Sequence, residues 1–342
     1  MRSFAVGAAI LVLVACTKHE GWEQGGVAGN ASAAPVSVDS GNHVSLQIDA
    51  AASAGAPVTE AIDPAFFEAK PLTGKSIGHT SIVFKLGLEG GKDAAYKPRS
   101  KVGNERFRGE IAAYRLALAW GLHNVPAAVF RSFPAAALDS AMGNDDKASS
   151  VFTDQVVVEP DGNVRGALIP WISHLQFMPL EKDPDRAKWK GWLESPALDV
   201  GTMPPCDRDL ARQISTMIAF DVLTGNWDRW SGGNIGNALG SGCTTVLYID
   251  NDGAFFDPVP KLFFDPQVAE LHKVRRFSRS FVSALRSTTE DALRSAIGEE
   301  SPGKPLLPEH VVTAFFARRK LVLDAIDDAS KKWGETDTLS LP

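Results

Sequence analysis

The chain has 342 residues, 44% of them hydrophobic and 22% charged, which is enough apolar material for a sizeable core and rules out disorder throughout. Lys and Arg number 35 against 41 Asp and Glu, so the formal net charge of −6 gives no electrostatic reason to bind a nucleic acid. No apolar run approaches the roughly 20 residues that a membrane-spanning helix needs. At the N-terminus, Arg2 and the apolar stretch Phe4 to Ala15 have the make-up of an export signal over residues 1–15. Residues 16–72 are rich in Gly, Ala, Ser, Val and Pro without a sustained period and read as a tether.

A folded region is expected from Thr73. Ser81 to Leu86 and Ala94 to Lys97 are strand-like runs separated by the turn signal Glu89-Gly90-Gly91-Lys92. A helix follows over 105–121, with Phe107, Ile111, Tyr114 and Leu118 as its apolar stripe and Gly121 as its stop. Strands are expected at Val151 to Glu159 and Val164 to Ile172, joined by Pro160-Asp161-Gly162-Asn163. Beyond a Pro- and Trp-containing stretch, the sequence predicts a helix over 207–224, a Gly-rich loop and a short strand at Thr244 to Ile249. Two amphipathic helices then span 277–297 and 309–333, with Pro and Gly breakers at 302–308 between them. A strand-rich part with one helix (73–172) followed by a helix-rich part (173–342) predicts an α+β fold of two lobes with a cleft between them. Apart from Cys16, the cysteines are Cys206 and Cys243; a disulfide and a pair of free thiols both remain open.

The chemistry concentrates after the 207–224 helix. Asp221 falls in its apolar stripe with Leu210, Ile214 and Met217, so its carboxylate needs a partner, most simply from the next loop. That loop, Gly225-Asn226-Trp227-Asp228-Arg229-Trp230-Ser231-Gly232-Gly233-Asn234, precedes an apolar strand ending in Ile249-Asp250-Asn251-Asp252-Gly253-Ala254-Phe255. Asp228, Asn234 and Asp250 offer the hard oxygen ligands that Mg2+ or Mn2+ prefers, whereas no HExxH or CxxC supports zinc. Trp227 and Trp230 read as packing.

Asp221-x4-Asn226-x-Asp228-Arg229 followed by Ile249-Asp250-Asn251-x-x-Ala254-Phe255 resembles the catalytic core of atypical kinases. These are the secreted Four-jointed and Golgi casein kinase group, the type II phosphatidylinositol 4-kinases within the phosphatidylinositol 3/4-kinase-like proteins, and more distantly the HipA-type kinases. The resemblance implies a two-lobed kinase-like fold that uses ATP with Mg2+ or Mn2+ and transfers a phosphoryl group to a hydroxyl of a protein, lipid or sugar acceptor. By that resemblance Asp228 is the catalytic aspartate, Arg229 steadies its loop, and Asn234 and Asp250 hold the metal. Ala94-Ala95-Tyr96-Lys97-Pro98 resembles the strand carrying the phosphate-binding lysine, with Lys97 paired to Glu110 on the next helix. Gly74-Lys75-Ser76-Ile77-Gly78-His79-Thr80-Ser81 stands where the nucleotide-covering loop belongs, with Ser76 and Gly78 as its cofactor contacts. Leu13-Val14-Ala15-Cys16 resembles a bacterial lipobox, which implies lipid anchoring on Cys16 in the cell envelope; Thr17 favours the outer membrane. A monomer is expected.

Two departures from the kinase pattern stand out. Asp228 and Asn234 are six positions apart where five is expected, with Asn237 as a fallback, and Asp252 occupies a position usually held by Gly. Asp252 could join the metal site or raise a neighbouring pKa by repulsion. Both departures suit the alternative of a catalytically silent kinase-like binding module. A rival of another class is the serine hydrolase, since Gly74-Lys75-Ser76-Ile77-Gly78 matches the G-x-S-x-G elbow, although the strand-then-helix context it needs is missing. The stretch from Gln176 to Cys206 and the C-terminal helices would discriminate between acceptors.

Overall fold

The structure, a computed structural model, describes residues 65–78, 81–238 and 242–342. The expected export signal, Cys16 and most of the tether lie outside the described residues. The folded chain starts ahead of Thr73. Helix α1 (Ala65–Glu68) buries Phe66, and strand β1 (Pro71–Ser76) opens the sheet. Strands β2 (Phe84–Leu88) and β3 (Lys92–Pro98) form the expected hairpin, with Leu88 opposite Lys92. Its turn places Gly90 and Gly91 at φ 78° and 71°, a region open to glycine at little cost. Helix α2 (Phe107–Ala119), strand β4 (Val129–Pro134), helices α3 (Ala135–Met142) and α4 (Asp146–Gln155), and strand β5 (Asn163–Pro170) follow. The five strands pair antiparallel throughout, in the order β1-β2-β3-β5-β4.

The strand expected over 151–159 is not there, because α4 occupies residues 146–155. Asp145 caps that helix by accepting the Ala148 N–H at 2.7 Å, and the β-branched run Val156-Val157-Val158 begins only as the helix ends. The turn over 160–163 forms, with the Gly162 N–H on the Glu159 carbonyl, but β5 pairs with β3 and β4.

Alternation along β3 sorts its side chains by face. Ala94 and Tyr96 enter a small core with Phe84, Leu86, Phe133 and Met142, where the Tyr96 hydroxyl donates to the Val164 carbonyl at 2.9 Å. Lys97 turns to the opposite face, which α2 covers. Its partner on β5, Ala167, belongs to the larger core. On α2, Phe107 and Ile111 are buried as expected, whereas Tyr114 is half-buried and Leu118 is 42% exposed. The helix is enclosed between the sheet and the C-terminal helices, so its buried face widens to Ala112, Ala113, Leu116 and Ala117.

The second half contains β6 (Gln176–Phe177), α5 (Asp185–Glu194), α6 (Pro205–Thr224), β7 (Ile235–Ala238), β8 (Thr245–Tyr248), α7 (Lys261–Leu271) and α8 (Arg279–Ser287). It ends with α9 (Glu290–Ile297), β9 (Glu299–Ser301), β10 (Lys304–Pro305), α10 (Glu309–Trp333) and α11 (Glu335–Thr338). The single helix expected over 277–297 is two. Ser278 caps α8 and Thr289 caps α9, each hydroxyl accepting a first-turn N–H, from Phe281 and Ala292. Trp120 centres the larger core, with its ring 6.2 Å from Phe220, 6.0 Å from Phe281 and 6.3 Å from Phe315. Each such buried Phe contributes about 1.5–3 kcal/mol. Cys206 at the start of α6 is bonded to Cys243 ahead of β8, which closes the question the sequence left open. The 37-residue separation corresponds to about 4 kcal/mol of stabilisation in the chain-entropy model.

Candidate active site

Helix α6 stops at Gly225, whose φ of 66° turns the chain so that the Asn226 N–H reaches the Asp221 carbonyl at 2.9 Å. The loop then folds back, and Arg229 enters the protein completely. Its Nε donates to both Asp221 carboxylate oxygens, at 3.1 and 3.3 Å. This is the partner that the buried carboxylate on the apolar stripe demanded. Nη1 donates to the carbonyls of Asn234, at 2.7 Å, and Ile249, while Nη2 donates to Asn251 Oδ1 at 2.5 Å. One guanidinium thus ties α6, the 226–234 loop and the turn after β8 together. Arg229 is 0% exposed, so all that it reaches are these loops.

The extra residue between Asp228 and Asn234 is taken up locally. Arg229–Ser231 makes a 3-10 turn, and Gly232 and Gly233 reverse the chain at φ 103° and 79°. Asn234 therefore still reaches the loop: its Nδ2 donates to the Asp228 carbonyl at 2.7 Å and to Ser231 Oγ at 3.2 Å, and its Oδ1 takes no part in these two bonds. The fallback, Asn237, lies on β7 opposite Gln176. Asp228 is half-buried. Burial, reinforced by the charge of Asp250, raises its carboxyl above the usual range, with Arg106 pulling the other way.

Lys97 is the hub of the facing side. Its ammonium lies 2.5 Å from Glu110 Oε1 on α2, hydrogen-bonds Asp250 Oδ1, and is 3.6 Å from Asp252 Oδ2. Burial alone would lower its pKa, but the three carboxylates reverse this and hold it well above the ordinary lysine value. Asp250 sits at φ 57° at the head of a 3-10 turn over Asn251–Gly253. Its carboxyl is lowered overall, since Lys97 outweighs the effect of burial. The Asp250 side chain is 34% exposed, against 5% for Glu110 and 6% for Asp252, so Asp250 is the one of these three acids that solvent reaches. Asp252 is committed inward: Arg106 donates to its Oδ1 at 2.7 Å and to its backbone carbonyl at 3.1 Å. The acidic turn packs so tightly on α2 that a Cβ on Gly109 would meet the Asn251 carbonyl at 2.5 Å.

Among the described residues, no three His, Cys, Asp or Glu side chains cluster as a self-sufficient metal cage. The donor set nonetheless fits a nucleotide-bound Mg2+ or Mn2+. Such an ion is held by one or two carboxylates with phosphate oxygens and water, and the part-exposed Asp250 carboxylate and Asn234 Oδ1 are hard oxygens suited to that.

The glycine-rich segment differs from expectation. Gly74 and Ser76 are in β1, and Gly74 is where Met142 crosses the strand, since a Cβ there would meet its Sδ at 2.3 Å. The turn proper follows β1. Gly78 lies in it, with Ile77 and Gly78 N–H groups on the Val83 carbonyl. His79 and Thr80 lie outside the described residues. Ser76 pairs with Phe84 and Phe84 with Tyr96, so this turn is at the same end of the sheet as Lys97. Because Ser76 leads into an antiparallel strand, the hydrolase elbow is absent. Trp227 and Trp230 pack, at 5.3 Å from Phe263 and 5.7 Å from Trp189. Arg106, which closes the acidic turn, had no signal in its own sequence neighbourhood. Nor did Gln213, which bonds Asn124, the carbonyl of Thr244 and the N–H of Val246.

Burial raises the carboxyls of Asp221 and Asp252 to about 6, against partial opposition from Arg229 and from Lys97 with Arg106. A folded-state value above the unfolded one means that unfolding releases a proton between about pH 4 and pH 6. The contribution of these groups to stability is therefore largest below pH 4 and declines as pH rises to 6. Denaturant midpoints at pH 4, 5, 6 and 7 should show this slope, and Asp221→Asn should remove its share.

No family model matches the chain, and no curated protein matches it in sequence. Solved structures do match. A hydra Fam20 structure determined with sugar aligns at TM-score 0.59 and 18% identity, covering 80% of this chain and 89% of that one. A Golgi casein kinase structure with Mn/ADP bound aligns at TM-score 0.57 and 17% identity over 79% and 76% of the two chains. A second Golgi casein kinase structure gives 0.56 and 15% over the same shares. The chain therefore has a two-lobed, kinase-like α+β fold.

Proposed function

We propose that this chain is an ATP-dependent, metal-dependent phosphotransferase acting on a hydroxyl of a protein, lipid or sugar acceptor. One observation carries the reading: Lys97, paired with Glu110, is bonded to the part-exposed Asp250, next to a loop that holds Asp228 and Asn234 together. Phosphoryl transfer depends on positioning and charge neutralisation more than on covalent help, and these groups supply both. Lys97 would engage phosphate oxygens as a point charge, with Glu110 fixing its direction. Asp250 and Asn234 would hold Mg2+ or Mn2+, which supplies neutralisation of phosphate charge. Asp228 would orient the acceptor hydroxyl and take its proton as the hydroxyl oxygen bonds the γ-phosphorus and the bond to the bridging oxygen breaks, leaving ADP. The likeness to a Golgi casein kinase determined with Mn/ADP and to a hydra Fam20 determined with sugar motivates the choice of Mn2+ and of a sugar among the acceptors.

By the resemblance of Leu13-Val14-Ala15-Cys16 to a lipobox, the same chain would be tethered to the outer membrane through a lipid on Cys16. The test of activity uses γ-labelled ATP with Mg2+ or Mn2+ and three acceptor classes: casein-like protein, phosphoinositide vesicles and free oligosaccharide. Label should appear on one class and disappear with chelator. Failure of all three, together with no metal-dependent nucleotide binding, would remove the proposal.

A further inference from the structure

Glu300 lies far from Lys97 in sequence, in the short β9–β10 hairpin that the Pro and Gly breakers at 302–308 create. Its side chain is 1% exposed yet ionised, because Arg108 and Lys304 outweigh the effect of burial and hold its carboxyl below the usual range. Arg108 reaches its Oε2 through Nε at 2.8 Å and Nη2 at 2.6 Å, and Lys304 reaches its Oε1 at 2.7 Å. Arg165 stands 3.6 Å from the same Oε1. Arg108 also pairs with Glu105. These partners belong to different elements. Arg108 is on α2, two residues before Glu110. Arg165 is on β5, two residues before Ala167, the residue paired with Lys97. A buried carboxylate shared by α2 and β5 fixes the distance of the helix from the sheet, and that distance is the one the Lys97–Glu110 pair spans. The same segment braces α2 further along, where Arg115 donates to the carbonyls of Ile297 at 2.6 Å and Glu299 at 3.0 Å.

We infer that Glu300 is a positioning residue for phosphoryl transfer: the 299–305 hairpin clamps α2 onto β5 through Glu300, and so keeps Glu110 on Lys97. This rests on the kinase reading for its consequence, but the clamp itself can be tested without nucleotide.

The experiment uses the full chain and Glu300→Gln, which keeps the shape and removes the charge. Amine acylation by a small anhydride, read at Lys97 by peptide mass spectrometry, should rise severalfold in Glu300→Gln and in Glu110→Gln, because a lysine freed from its carboxylate is the better nucleophile. Mn2+-ADP affinity should fall about tenfold in each, a loss of about 1.4 kcal/mol, and the double variant should be no worse than Glu110→Gln alone. Such non-additivity distinguishes action through Glu110 from general loosening. If Glu300→Gln fails to fold, Lys304→Ala removes only one partner and should shift Lys97 reactivity in the same direction by less. Unchanged Lys97 acylation in a folded variant, or additive losses in the double variant, would overturn the inference. Absence of nucleotide binding in the unaltered chain would instead count against the kinase reading, while the acylation result would still decide the role of Glu300.

Discussion

Asp228→Asn should lower the rate of phosphoryl transfer by about a thousandfold, within the range found for loss of a general base, while changing Mn2+-nucleotide affinity by less than about threefold. The substitution is isosteric, and what holds the loop at this position is the backbone. The Asp228 carbonyl accepts from Asn234 Nδ2 at 2.7 Å and from Ser231 Oγ at 2.9 Å, and its N–H donates to Asn226 Oδ1 at 3.2 Å. Those bonds survive the change. What is lost is the carboxylate whose pKa burial and Asp250 raise, which makes it a better proton acceptor than an ordinary aspartate. Rates under saturating substrate, set beside nucleotide titrations, separate the two effects. A variant with undiminished turnover would mean that Asp228 is not the proton acceptor.

Arg229→Met should destabilise the folded chain by about 3–5 kcal/mol, the range for breaking a buried ion pair from one side. Asp221 would be left without its counter-charge at 1% exposure and would have to take up a proton, and the carbonyls of Asn234 and Ile249 and the amide of Asn251 would lose a shared donor. Arg229→Lys should recover little, because one ammonium cannot reach three directions as a planar guanidinium does. Denaturant midpoints at pH 7 measure both. A loss below about 1 kcal/mol would show that the surrounding loops hold themselves together.

The loop from Gly225 to Asn234 was legible because its chemistry is local: the helix stop, the carboxylate on the apolar stripe and its arginine lie within nine positions of Asp221. The 309–333 helix was legible for a similar reason, being one long amphipathic run, and its bounds agree with the structure. Local apolar preference misled where a cap decided the outcome. Val151 to Glu159 looked like a strand because its valines are β-branched, yet Asp145 starts a helix that consumes the first part of it. Residues 277–297 looked continuous because the period carries through Thr289, which instead opens a new helix. The Gly-rich segment at 74–81 has the composition of a loop, whereas Gly74 serves the close passage of Met142 over β1. Least legible were contacts between distant positions. Arg106 meets Asp252 and Arg108 meets Glu300 across 146 and 192 residues, and no periodicity in one sequence encodes them.

The most direct test of the site is ADP binding to the full chain by titration calorimetry, with and without Mn2+, beside Asp250→Asn. The unaltered chain should bind ADP in a Mn2+-dependent manner. Asp250→Asn, still folded, should lose at least about tenfold in affinity and most of the metal dependence. Equal affinity and equal metal dependence in the two proteins would contradict the assignment of Asp250, and with it the account of Lys97, Asn234 and Asp228 as one phosphate-handling site.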